Sequence, residues 1–119
     1  MDLIDVHTHI VPETFPAYSL PVPEKRWPCM QCSSPTEANI LIDNKPFRAL
    51  DHRSWDMKKR MDDMVQAGVT RQALSPMPEL LSYWFKPDAG LEMCRWMNQA
   101  IATAVNDKPA QFSGLGIVP

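Results

Sequence analysis

The chain alternates short apolar runs with helical patterns, and this alternation restricts its fold more than any other feature. Residues 54–67 carry methionines at helical spacing, and residues 88–106 carry a second apolar stripe. Short apolar runs lie before, between and after these patterns, at residues 4–10, 69–74 and 112–118. Because a helix between two strands connects parallel neighbours, this order predicts an α/β fold with a parallel sheet.

Capping residues mark the ends of the two predicted helices. Ser54 is the predicted N-cap of the first helix, and Gly68 is the residue that ends it. Asp88 opens the second helix, and the sequence DKP at residues 107–109 stops it. The predicted helices therefore have defined limits.

A proline-rich segment separates the first apolar run from the first helix. Residues 12–38 show no sustained period, which predicts a long irregular loop that helps to cover a site. Residues 39–42 and 46–50 flank a polar turn and predict a short β-hairpin. Arg48 lies on the second strand of that hairpin.

Two of the three histidines stand two residues apart in the first predicted strand, IDVHTHI. Alternation along a strand would place His7 and His9 on one face, together with Asp5. They lie near the C-terminal end of the strand, which faces the active site in parallel α/β folds. The spacing alone fits a shared metal ion, and it equally fits an exposed or core pair.

Charge and composition exclude several classes of protein. The chain has 12 lysines and arginines against 14 acids, without a basic cluster, which argues against nucleic-acid binding. No apolar run reaches the roughly 18 residues of a membrane span, and no signal region opens the chain, so we expect a cytoplasmic protein without a membrane partner. Cys29 and Cys32 form a CxxC that lacks both a second ligand pair and a following helix, which disfavours a zinc or redox site.

Taken together, these motifs resemble the metal-dependent amidohydrolase superfamily, in its branch of decarboxylases. The resemblance rests on DVHTH in the first strand, PFR in the hairpin, RMDDMVQAGVTRQALSPMP at residues 60–78 and the closing FSGLGIVP. It implies the N-terminal part of a (β/α)8 TIM-type barrel, with the proline-rich loop and the hairpin inserted after the first strand. Such a barrel takes about 250 residues, so residues 1–119 are expected to be an incomplete portion of one barrel domain.

The resemblance also implies roles for individual residues. His7 and His9 would be two ligands of one divalent metal ion, most often zinc (Zn²⁺), and the other ligands would come from later strands. Arg48 would bind the carboxylate of a small-molecule substrate. Trp84 and Phe85 would wall the substrate pocket, or would simply pack beneath their loop. No catalytic residue is identified, and His52 is interpreted as a surface residue.

The expected activity is decarboxylation of a small carboxylate-bearing substrate, in which a metal-bound water serves as base or nucleophile. A metal-dependent hydrolase of a lactone or amide is one alternative, and a non-catalytic barrel fragment is another. Residues 1–119 alone are expected to be inactive and prone to association through an open sheet edge. The resemblance further implies a homodimer.

Overall fold

The computed structural model describes residues 1–81 and 83–119, and within them it has a mixed α/β fold. One sheet is parallel and contains β1 (Ile4–Ile10), β5 (Arg71–Pro76) and β6 (Phe112–Gly114) in that order, and the other is antiparallel and contains β2 (Cys29–Ser34), β3 (Glu37–Ile42) and β4 (Lys45–Asp51). The predicted parallel sheet is therefore confirmed. The elements in chain order are β1 (Ile4–Ile10), β2 (Cys29–Ser34), β3 (Glu37–Ile42), β4 (Lys45–Asp51), α1 (Met57–Ala67), β5 (Arg71–Pro76), α2 (Pro87–Asp107) and β6 (Phe112–Gly114).

The helices cover one face of the parallel sheet. Leu74 of β5 and Phe112 of β6 are completely or almost completely buried there, and Met93 and Met97 of α2 pack in the same cluster. Met64 brings α1 into this core. Because burying one such side chain contributes about 1.5–3 kcal/mol, this helix-covered face holds the parallel sheet together.

The opposite face of the parallel sheet, which we call the open face, carries smaller and more polar side chains. Ala73 and Ser75 of β5 are half-buried, whereas Leu74 between them is fully buried. Their register partners are Ser113 of β6, which is exposed, and His9 of β1, which is half-buried. The open face therefore includes one of the two predicted metal ligands.

The first helix begins later than the sequence predicted. Asp56 is its N-cap and accepts a hydrogen bond of 3.1 Å from the backbone N–H of Lys59, whereas Ser54 ends a single 3-10 turn, His52–Ser54. Gly68 ends the helix in the left-handed conformation, with φ of 70°, as predicted. An aspartate two residues after Ser54 is an equally good cap, and the 3-10 turn decides between them.

The predicted strands differ from the observed ones in extent. The strand predicted over residues 69–74 is shifted to Arg71–Pro76, and the strand predicted over residues 112–118 is limited to Phe112–Gly114. The second helix begins at Pro87, because proline is well suited to a first helical position. No helix among residues 1–81 and 83–119 combines the length and the apolar character needed to cross a membrane.

The antiparallel sheet contains the predicted hairpin. β3 and β4 pair with Ile40 opposite Arg48, and their turn residues Asp43 and Asn44 have φ of 53° and 58°, a region that Asp and Asn tolerate. The prediction that residues 12–38 are irregular throughout is wrong, because Cys29–Ser34 form β2 and pair with β3. Prolines border this strand at its two ends and therefore do not interrupt its hydrogen bonds.

Candidate metal and substrate site

β1 places the two predicted metal ligands beside each other. The ring centroids of His7 and His9 are 5.3 Å apart and the ring planes are perpendicular. His7 is exposed and His9 is half-buried. The structure thus brings together the two histidines that the sequence singled out, and their role as metal ligands stays a prediction.

A bulge in β1 separates Asp5 from the histidines. Asp5 lies opposite Gln72 and Thr8 lies opposite Leu74, so β1 contains one more residue than β5 in this interval. The side chain of Asp5 is on the helix-covered side, where its Oδ2 accepts a hydrogen bond of 3.4 Å from Gln72 Nε2. The expectation that Asp5 shares a face with the histidines is therefore wrong, because the extra residue shifts the alternation of side chains.

The hydrogen bonds of His9 determine which ring nitrogen is free. Its Nδ1 lies 3.0 Å from the carbonyl oxygen of Pro76 and 2.9 Å from Ser75 Oγ. The Ser75 hydroxyl donates its own proton to the carbonyl of Thr8 over 3.0 Å. Because a carbonyl only accepts, we assign the ring hydrogen to Nδ1, so that the lone pair of the neutral ring lies on Nε2. Metal-binding histidines are held in this way.

The donor chemistry of the pair suits a divalent metal ion. Neutral imidazole is a good ligand for zinc, and catalytic zinc commonly has three protein ligands. Within residues 1–81 and 83–119, no group of three or more His, Cys, Asp or Glu side chains is arranged to hold a metal ion. His7 and His9 alone therefore fall one short of the three protein ligands that catalytic zinc commonly has.

His52 is separate from the pair. It lies in the 3-10 turn before α1 and is half-buried, so the surface position predicted for it is only partly correct. It borders a cavity of about 650 Å³ between the hairpin and α1, together with Asp51 and Asp63. The lining of this cavity does not include His7 or His9.

Arg48 contacts the loop that follows β5. Its guanidinium forms an ion pair with Glu79, in the turn just beyond the C-terminal end of β5. The side chain of Arg48 is 51% exposed, whereas that of Glu79 is only 9% exposed. Glu79 Oε2 is buried and has no hydrogen-bond partner in the described part of the chain. Half of the Arg48 side chain thus remains open to a further anionic group.

Trp84 and Phe85 both contact the proline-rich segment. Phe85 is buried, and its ring stacks on Trp27 with centroids 5.6 Å apart. Trp84 is 43% exposed, and its ring lies 4.4 Å from the guanidinium carbon of Arg26. These contacts agree with the alternative that Phe85 simply packs beneath its loop. Part of the Trp84 ring remains accessible to solvent. Contact of either ring with a substrate stays a prediction.

The CxxC residues do not form a joint site within β2. Cys29 and Cys32 are both free and exposed. Residues three apart in a strand point to opposite faces, and the register of β2 against β3 is regular between them. The sequence disfavoured a zinc or redox site at this motif, and the opposite orientation of the two cysteines agrees with that prediction.

Sequence reasoning missed three residues that surround the histidine strand. Ser75 bonds His9 directly, Gln72 is buried on the neighbouring strand β5, and Arg60 is buried behind β1. Helical spacing could have predicted the burial of Arg60, because Arg60 lies four residues before the buried Met64 and therefore on the same face of α1. Burial lowers the pKa of the Arg60 guanidinium, although arginine remains protonated at any physiological pH.

Comparison with known proteins supplies relatives for most of the chain. No family model matches it. It is 34% identical over 116 residues to 2-amino-3-carboxymuconate-6-semialdehyde decarboxylase of Dictyostelium discoideum, and 28% identical to the protein of that name from Caenorhabditis elegans. Each alignment covers 98% of this chain, which spans only 32% and 29% of the lengths of these relatives.

A solved structure is also similar to part of the chain. The crystal structure of 5-carboxyvanillate decarboxylase from Sphingomonas paucimobilis matches 54% of this chain and 19% of its own chain, with 29% identity and a TM-score of 0.49. The resemblance inferred from the motifs is confirmed by the curated relatives: over nearly its whole length, this chain is similar to 2-amino-3-carboxymuconate-6-semialdehyde decarboxylases.

Proposed function

We propose that the protein containing this chain is a metal-dependent decarboxylase of a small carboxylate-bearing substrate. The observation that carries this proposal is the pair of adjacent histidines in which His9 Nδ1 is held by Pro76 and Ser75, leaving Nε2 free. Both curated relatives are named as decarboxylases, which favours loss of CO₂ over hydrolysis of a lactone or amide. The names also favour an enzyme over a non-catalytic fragment.

The proposal includes the architecture around the histidines. The chain would be the N-terminal portion of a (β/α)8 barrel, because its parallel strands β1, β5 and β6 have helices on one face only. The open face would then point to the barrel interior, where later strands supply the remaining metal ligands. A homodimer belongs to the proposal on resemblance alone.

Each residue of the site has a proposed task. His7 and His9 bind the metal ion through their imidazoles, and a divalent ion held there would act as a Lewis acid that makes water a usable base near neutral pH. Arg48 binds a substrate carboxylate, for which its planar fork of N–H donors is well shaped. The exposed part of Trp84 offers an apolar wall.

Metal analysis of histidine variants tests the proposal. In the full-length protein, His7→Ala and His9→Ala should each lose most of the bound metal and most of the CO₂ release from 2-amino-3-carboxymuconate-6-semialdehyde. His52→Ala is the matched control, because it removes a histidine ring that borders a different cavity, lined by neither His7 nor His9, and it should retain both. A full equivalent of metal in both the His7 and His9 variants would refute the metal site.

A further inference from the structure

Arg60 reaches from α1 to the back of the strand that carries the histidines. Its side chain is buried, with 7% of its surface exposed. Nη1 donates to Thr8 Oγ1 over 2.6 Å, and Nη2 donates to the backbone carbonyl of His9 over 2.8 Å. Nη2 also donates to the carbonyl of Arg53 over 2.8 Å. One guanidinium thus holds two successive residues of the HTH sequence and ties them to the segment before α1.

The same guanidinium belongs to a network that surrounds the bulge of β1. Arg60 Nη1 also contacts Gln72 Oε1 over 3.3 Å, and Gln72 Nε2 donates to Asp5 Oδ2. The other oxygen of Asp5 accepts the backbone N–H of His7 over 3.0 Å. The network therefore contacts β1 before the bulge, at Asp5, within it, at His7, and after it, at Thr8.

Thr8 connects this network to the ring of His9. Its hydroxyl accepts from Arg60 on the helix-covered side, and its carbonyl accepts from Ser75 Oγ. Ser75 Oγ in turn lies 2.9 Å from His9 Nδ1. A shift of the backbone at Thr8 would thus move Ser75, one of the two groups that contact His9 Nδ1.

The arrangement is costly for packing alone. Arg60 Nε is buried with no hydrogen-bond partner in the described part of the chain, and the direct partners of the two Nη atoms are all neutral oxygens. A buried charge without a directly bonded carboxylate carries a large desolvation penalty. An apolar side chain at this position would pack beside Met64 without that penalty. Packing alone therefore does not account for an arginine here, whereas its hydrogen bonds to β1 do.

We propose that Arg60 is a positioning residue, which sets the backbone of the His7–His9 segment from behind and thereby keeps His9 with Nε2 free for a metal ion. The part of this inference that concerns the metal rests on the proposed function. The part that concerns the ring of His9 does not, because the tautomer is measurable in metal-free protein.

Variants of α1 in the full-length protein separate positioning from general stability. Arg60→Met should lower zinc affinity by about 10- to 100-fold, the range found when a group behind a metal ligand is removed. In the metal-free protein, ¹⁵N NMR should show His9 changing from one tautomer to a mixture. Arg60→Lys should restore part of both properties, because an ammonium can still donate to Thr8 and to the His9 carbonyl.

Met64→Ala is the matched control, since Met64 is 4% exposed on the same helix and takes no part in the network. It should destabilise the protein and leave zinc affinity and the His9 tautomer unchanged. If Arg60→Met does not fold, Thr8→Val tests the same link, because it removes only the hydroxyl that Arg60 contacts, and it should also mix the tautomers of His9.

The outcomes separate the two hypotheses. An unchanged His9 tautomer in both Arg60→Met and Thr8→Val would overturn the positioning role, as would an equal loss of zinc affinity in Met64→Ala. If His7→Ala and His9→Ala retain their metal while the tautomer still responds to Arg60, the metal site fails and the positioning of His9 stands.

Discussion

Replacing Gly114 by alanine tests the contact between β6 and α2. A Cβ at this position would lie 2.6 Å from Ile101 Cγ2 and 3.3 Å from Val105 Cγ2. Ile101 is 3% exposed, and β-branched side chains in helices have one strongly preferred χ1 rotamer, so its methyl group has no free space to rotate into. The helix and the strand must therefore move apart.

The expected cost follows from this overlap. Inserting a methyl group into a well-packed core costs about 1–3 kcal/mol, which corresponds to roughly a 5- to 150-fold change in the unfolding equilibrium constant. Equilibrium urea unfolding of the full-length protein measures the free energy, and an unchanged m-value would show that only stability has changed.

Gly90→Ala is a control with the opposite expected sign. Gly90 lies within α2, and a Cβ there would meet only Pro119 Cβ at 3.8 Å, an ordinary contact. Alanine in a helix is favoured over glycine by up to about 1 kcal/mol, so this variant should be more stable than the wild type. If Gly114→Ala were as stable as the wild type, or Gly90→Ala equally destabilised, the described packing of α2 on β6 would be wrong.

Three further predictions concern charged side chains. Asp56→Ala should reduce the free energy of unfolding by about 0.5–2 kcal/mol in urea titrations, because it removes the N-cap of α1. The hydrogen bond from Arg53 lowers the pKa of Asp51 to about 2, so Asp51 stabilises the fold above its ordinary pKa of 3.8 and stops doing so as the pH falls through 2. Asp51→Asn should therefore be less stable than the wild type at pH 7, and most of this difference should have disappeared at pH 2; a stability difference that persists unchanged at pH 2 would contradict this. Arg48→Ala should weaken carboxylate binding and lower stability while metal content stays unchanged, because Glu79 is left buried without its partner. The double variant Arg48→Ala/Glu79→Ala should recover stability without restoring carboxylate binding. Recovery of both properties would assign Arg48 a purely structural role.

Local sequence determined the elements whose physical cause lies within a few residues. The methionine spacing and Gly68 define α1 because helical periodicity and a left-handed C-terminus are local properties. The β3–β4 turn follows from Asp43 and Asn44 for the same reason. The HxH spacing likewise made His7 and His9 candidates, whereas their role as metal ligands was expected only from the resemblance of several motifs together.

Only the tertiary structure decided what surrounds those histidines. The bulge in β1 is defined by its pairing with β5. The alternation of residues in β1 alone therefore could not predict that Asp5 lies on the face opposite to His9. Ser75 and Pro76 meet His9 across more than sixty residues of chain, through the register of two parallel strands. Helical spacing predicts that Arg60 is buried, but its acceptors follow from where α1 rests on the sheet. The sequence thus specifies the metal-binding candidates, and the packing of distant segments specifies the tautomer and orientation in which His9 is held.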